Sequence, residues 1–152
     1  MEEPMTLVSC CAAAMLSLAL SGPQAPLRTD VRVDEGERSI LIDTGLQRIA
    51  AFSGRRLVQM SRVSTGRPGH ETPKGDFRVR YRYPAPMSSS YMVRMPYWIC
   101  IDDLGQLGLH ECQPRQYRQL GTPGSHGCIR LGPSTAEWLY GWLPDGACVS
   151  IR

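Results

Sequence analysis

Between residues 39 and 63 the sequence falls into three short runs of branched and aromatic residues, Ser39 to Asp43, Gln47 to Phe52 and Leu57 to Val63. Thr44-Gly45 and Ser53-Gly54 cut them apart. Runs this short, each bounded by a turn-forming pair, cannot supply the faces of a helix bundle and predict a strand meander. Downstream, Asp76-Phe77-Arg78-Val79-Arg80-Tyr81-Arg82-Tyr83 alternates polar with apolar or aromatic residues. That period of two predicts one strand with a buried face and its arginines in water. Tyr97 to Ile101 and Gly105 to His110 read as two more strands around Asp102-Asp103, and Ala147 to Ile151 as a last one. Fifteen Gly and twelve Pro supply the turns that a mainly β domain needs. One helix is expected, opened by Ser134 as cap with Glu137 reaching back, with Leu139, Trp142 and Leu143 on one face and an end before Pro144. Residues 84–95 hold two prolines and three consecutive serines and predict a loop, long enough to bind or cover something.

Composition narrows the function. The formal charge is only +3, and Lys74 is the single lysine. So small and scattered an excess excludes nucleic acid as the expected partner. Residues 5–20 carry no charge and are nearly all apolar or small. The run is short for a bilayer span, which needs about 20 residues, but suits the core of a secretory signal. Residues 1–21 are therefore expected to be signal-like, although Glu2 and Glu3 stand where basic residues belong. Residues 22–37 read as a linker leading into a single domain, 38–152. Export to the periplasm or cell wall would leave Cys100, Cys112, Cys128 and Cys148 where disulfides are permitted.

Two His-x-Cys triplets, His110-Glu111-Cys112 and His126-Gly127-Cys128, carry the chemistry-bearing side chains. Two His and two Cys match the ligand set of a tetrahedral zinc, but zinc modules usually part paired ligands by two or more residues. A disulfide could join Cys112 to Cys100 or to Cys148, and spacing does not choose between them. The third reading is nucleophilic catalysis. A thiol becomes a strong nucleophile when an imidazole takes its proton, and a Gly before it lets backbone amides approach a developing oxyanion. Ser125-His126-Gly127-Cys128 is such a Gly-containing turn, and His110, at a strand end, could return beside the thiol.

These residues resemble the signature of the L,D-transpeptidase catalytic domain, the YkuD-like family: His110, Gly121, then Ser125-His126-Gly127-Cys128-Ile129-Arg130-Leu131. Ser64-Thr65-Gly66, Thr72-Pro73-Lys74-Gly75-Asp76-Phe77, Met95-Pro96-Tyr97-Trp98 and Asp145 to Ile151 are similar to further family segments, in the family's order. The resemblance implies a β-sandwich or barrel with one or two short helices. It implies a peptidoglycan L,D-transpeptidase with Cys128 as nucleophile, His110 as base, and Gly127, Ser125 and His126 shaping the site and its oxyanion hole. Stem peptides are the implied partners, carbapenems the implied covalent inhibitors, and neither cofactor nor metal is implied. Arg130 could fix the loop or meet a substrate carboxylate; Tyr91, Tyr97 and Trp98 could wall a substrate groove or belong to the core. An L,D-carboxypeptidase and a non-catalytic wall-binding module are the alternatives. Glu111 and Cys112 depart from the family pattern. The Glu111 carboxylate could orient the base or face solvent, and Cys112 could form a resting disulfide with Cys128.

Overall fold

A computed structural model describes residues 36–152. The signal-like segment and most of the linker lie outside the described residues. Nine strands form one mixed sheet: β1 (Arg38–Asp43), β2 (Arg48–Ser53), β3 (Arg56–Ser64), β4 (Gly75–Arg78), β5 (Tyr81–Tyr83), β6 (Trp98–Cys100), β7 (Gly108–Glu111), β8 (Ile129–Leu131) and β9 (Cys148–Ile151). Their order is β4-β9-β1-β2-β3-β8-β7-β6-β5. The pairs β1·β9 and β7·β8 are parallel and the rest antiparallel.

The alternating run 76–83 is not one strand. It breaks at Val79 and Arg80 into β4 and β5, which occupy the two opposite ends of the sheet. Val79 N–H donates to Ala147 O at 3.0 Å on the β9 side, and Arg80 N–H donates to Cys100 O at 2.8 Å on the β6 side. Two residues thus join both edges and the sheet must curl. The strand period survives the break, which is why the sequence does not betray it; the two halves simply find different partners.

The enclosed face is aliphatic. Ile40, Ile42, Val63, Ile99, Leu109, Ile129, Leu131, Val149 and Ile151 are almost wholly buried. Each side chain of this size contributes about 1.5–3 kcal/mol on burial. The helix α1 (Pro133–Trp142) packs on β7 and inserts Ala136, Leu139 and Leu143 into the same core. It starts earlier than expected: Gly132 is the cap, Pro133 stands in the first turn, and Ser134 makes no capping bond. Proline fits there because its missing N–H would have no partner in a first turn. A second, 3₁₀ helix at Pro114–Gln119 completes the one or two short helices that the resemblance implied, although no local pattern marked its place.

Candidate active site

The site is built where β7 and β8 run side by side in parallel. Leu109 pairs with Ile129 and His110 with Arg130. Leu109 and Ile129 are fully buried on the core side. Alternation therefore turns His110, Cys128 and Arg130 toward the opposite side, and all three line one cavity of about 910 Å³. Loop residues 86–91 and 93–95, Trp98, Ser125 and His126 complete much of its wall.

His110 is 8% exposed, and its Nδ1 lies 2.7 Å from the backbone oxygen of Glu111. A carbonyl only accepts, so Nδ1 carries the hydrogen and Nε2 of the neutral ring keeps a lone pair. Burial drives the His110 pKa down to about 4, opposed by that carbonyl and assisted by the Arg130 charge. The ring is thus neutral at pH 7, and Trp98 lies against it with centroids 6.1 Å apart. Burial also raises the Cys128 thiol above its ordinary pKa, with the Gly108 backbone amide pulling the other way. At rest these groups are an imidazole and a thiol, not an imidazolium and a thiolate, and Cys128 Sγ donates to Gln106 O at 3.5 Å. The sulfur becomes a nucleophile only as its proton leaves.

The turn before Cys128 is held from three sides. Ser125 N–H donates to Thr65 O at 2.9 Å, Arg67 N–H to Ser125 O at 3.1 Å, and Gly127 N–H to Ser125 Oγ at 3.0 Å. Gly127 has φ +126°, a region that L side chains rarely adopt. The expected oxyanion donor at Gly127 N is therefore engaged inside the turn in this conformation. Thr72 Oγ1 donates to Gly127 O at 2.6 Å while accepting from Gly66 N–H at 2.8 Å. In a trans peptide the next N–H points opposite to that carbonyl. Thr72 thus fixes the direction of the Cys128 amide. Gly66 is indispensable to this cradle, since a Cβ would collide with His70 O and Thr72 N.

Of the remaining candidates, Arg130 donates to Gly124 O at 2.9 Å and to Gln119 Oε1 at 3.3 Å, which fixes the loop while the residue also lines the cavity. Tyr91 stacks on the exposed ring of His126 at 4.5 Å, with His70 edge-on to the same ring at 5.1 Å. Trp98 is buried and lines the cavity. Tyr97 does not line it: φ is +56°, and the ring packs toward Tyr140 of α1, 5.7 Å away. The zinc arrangement finds no support, for no group of three or more His, Cys, Asp or Glu placed to hold an ion occurs among the described residues. Cys100, Cys112 and Cys128 are free thiols, so Cys112 is bridged to none of Cys100, Cys128 and Cys148, and Cys148 is itself disulfide-bonded.

The L,D-transpeptidase catalytic domain profile (YkuD) matches residues 37–151. The chain belongs to the L,D-transpeptidase catalytic domain family. YciB of Bacillus subtilis (strain 168), provisionally named as an L,D-transpeptidase, is 27% identical over 132 residues, 78% of this chain and 68% of that protein. An L,D-transpeptidase from Mycobacterium smegmatis superposes with a TM-score of 0.73 at 21% identity, over 76% of this chain and 58% of that one. L,D-transpeptidase 3 from Mycobacterium tuberculosis, solved with a faropenem-derived adduct, gives 0.69 at 22%, over 76% and 60%. The chain thus spans about three fifths of the length of these solved transpeptidases.

In this L,D-transpeptidase family member the departure at Glu111 leaves the His110 imidazole tied to the backbone. The Glu111 carbonyl orients His110, while its carboxylate accepts from Tyr117 Oη at 3.0 Å. The side chain therefore pairs with Tyr117 and not with the His110 imidazole. Cys112 is buried and outside the cavity. Two supporting residues carry no motif signal. Gly108 leaves room for the Trp98 ring, which a Cβ would meet at 2.7 Å. Gln47, 2% exposed, clamps Thr65 through both ends of its amide, accepting from Thr65 N–H at 2.8 Å and donating to Thr65 Oγ1 at 2.6 Å. A polar residue buried this deeply and paired this fully was the available clue, legible only once burial is known.

Proposed function

We propose that this domain is a peptidoglycan L,D-transpeptidase working through a thioester on Cys128. The single observation that carries the reading is the His110 ring: its Nδ1–H is tied to Glu111 O, leaving Nε2 as a base on the cavity shared with Cys128. Sulfur attacks the carbonyl of the third stem-peptide residue as its proton passes to Nε2. The C–N bond to the terminal D-alanine breaks, and His110 returns the proton to the departing amine. A side-chain amine of a second stem then attacks the thioester, loses a proton to His110, and the thiol leaves reprotonated. A cross-link between third residues results. Cys128 N–H, aimed by Thr72, is the oxyanion donor best supported by the geometry. The faropenem-derived adduct on a structural relative supports acylation by a β-lactam here as well. The apolar run 5–20 supports an exported protein.

The deciding experiment is intact mass after incubation with a carbapenem, native against Cys128→Ser. One added drug mass on the native chain alone is the expected result; equal labelling of both would refute the thiol. Product analysis of a tetrapeptide with and without an acceptor amine then separates cross-linking from hydrolysis by an L,D-carboxypeptidase. A wall-binding module would retain its function in Cys128→Ala.

A further inference from the structure

Among the described residues, the cavity around Cys128 is lined by three arginines, Arg94, Arg115 and Arg130, and by no Asp or Glu. They come from separate elements: Arg94 from the loop 84–95, Arg115 from the 3₁₀ helix, Arg130 from β8. Arg94 and Arg115 are exposed, and among the described residues neither takes part in an ion pair. The nearby carboxylates are engaged elsewhere. Glu111 accepts from Tyr117, and Asp102 Oδ1 accepts from Gln106 and Leu107 N–H at 2.9 Å. The arginines also act on one another. Burial lowers the Arg130 pKa, Cys112 and Cys128 oppose this once they are ionised, and the charges of Arg67 and Arg115 add to it. Like charges gathered in a concave site repel each other and focus a positive potential, an arrangement that an anion relieves.

Resting on the transpeptidase reading, we infer that the groove selects an acyl donor bearing more than one free carboxylate, through Arg94 and Arg115, and disfavours donors whose carboxylates are amidated. Arg130 is already spent on Gly124 and Gln119 and acts as a positioning residue. The two exposed guanidiniums have no such duty, and their planar forks suit carboxylates. Their place outside the Ser125 to Leu131 motif makes the preference a property of this chain's own loop and helix.

The test is calorimetric binding to the Cys128→Ser protein, which needs no turnover, of a tetrapeptide donor with free carboxylates and of its fully amidated twin. At low salt the free acid is expected to bind about tenfold more tightly, and the gap narrows as salt screens it. Arg94→Gln and Arg115→Gln should each narrow the gap about threefold, the double variant should nearly close it, and Lys at either position should restore most of it. Donors amidated at the diamino acid alone, or at the terminal D-alanine alone, report which carboxylate is read. Equal affinity for acid and amide, or a gap unchanged in the double variant, would overturn the inference. Failure of the native protein to be acylated by donor or carbapenem would instead overturn the transpeptidase reading, and the binding comparison would still decide the charge preference.

Discussion

His110-Glu111-Cys112 and His126-Gly127-Cys128 have nearly the same formula and divide their roles in opposite ways. In the first the imidazole is buried with one nitrogen tied down, and the thiol is buried at 2% exposure, away from the cavity. In the second the imidazole is exposed between Tyr91 and His70 while the thiol opens into the cavity. Backbone accounts for the difference. The first triplet ends a strand whose ladder buries its side chains; the second is a turn that Gly127 bends through positive φ to present sulfur beside a strand. A residue's chemistry here is set by the element that carries it rather than by its neighbours in sequence.

The sharpest way to break that comparison is to remove one member of each triplet. Cys128→Ser and His110→Gln should each slow carbapenem acylation at least about 10³-fold, because the proposed nucleophile and base work only as one unit. The time course of adduct formation by mass measures this. A His110→Gln protein still acylated at near-native rate would transfer the role of base to His126.

Acid separates the two imidazoles next. The folded pKa of His110 is about 4 against 6.5 when unfolded. Between these values the unfolded chain binds a proton that the folded chain refuses, so stability present above pH 6.5 is lost as pH falls toward 4. The loss amounts to about 3 kcal/mol. Urea titrations at pH 7 and pH 4.5 should show it, and His110→Gln should abolish most of the slope. The acylation rate should likewise persist well below pH 6, with its acid limb near pH 4. A limb well above 4 would mean that another imidazole is the base.

Much of this was legible in the sequence, for reasons that differ by residue. The strands of the meander announced themselves because Ile40, Ile42, Ile49 and Val63 face a core at strand spacing. The Ser125 to Cys128 turn and the strand-end His110 came from motif. The division of 76–83 between two sheet edges was hidden, because hydrogen-bond partners leave no trace in a period-two pattern. The groove wall 84–95 was legible as a loop, but nothing local told Trp98, which lines the cavity, from Tyr97, which turns to Tyr140. Gln47 and Thr72 were hidden as supports because their partners, Thr65 and Gly127, lie 18 and 55 positions away.

Thr72 tests whether the second turn depends on that distant support. Thr72→Val keeps the shape but removes the donor to Gly127 O and the acceptor for Gly66 N–H. Acylation should fall about 10- to 100-fold, and Thr72→Ser should restore most of it. The fold should survive, since urea midpoints register only the loss of two hydrogen bonds, about 1–3 kcal/mol. An unchanged rate in the valine variant would mean that the Cys128 amide is aimed by the turn alone.

Cys112 is where the comparison predicts almost nothing kinetically. It is a free thiol, buried against the core, and burial raises its pKa above the ordinary value. A protonated thiol sealed from solvent behaves as a small hydrophobe, unreactive toward electrophiles. Cys112→Ala should leave the acylation rate within about twofold and lower stability by about 1 kcal/mol for the lost sulfur contacts. Thiol titration of the folded protein should count the same fast-reacting thiols before and after the change. Gain of one fast-reacting thiol, or a faster acylation without added reductant, would show instead that Cys112 reaches Cys128 and that the two triplets trade sulfur for sulfur in a resting disulfide.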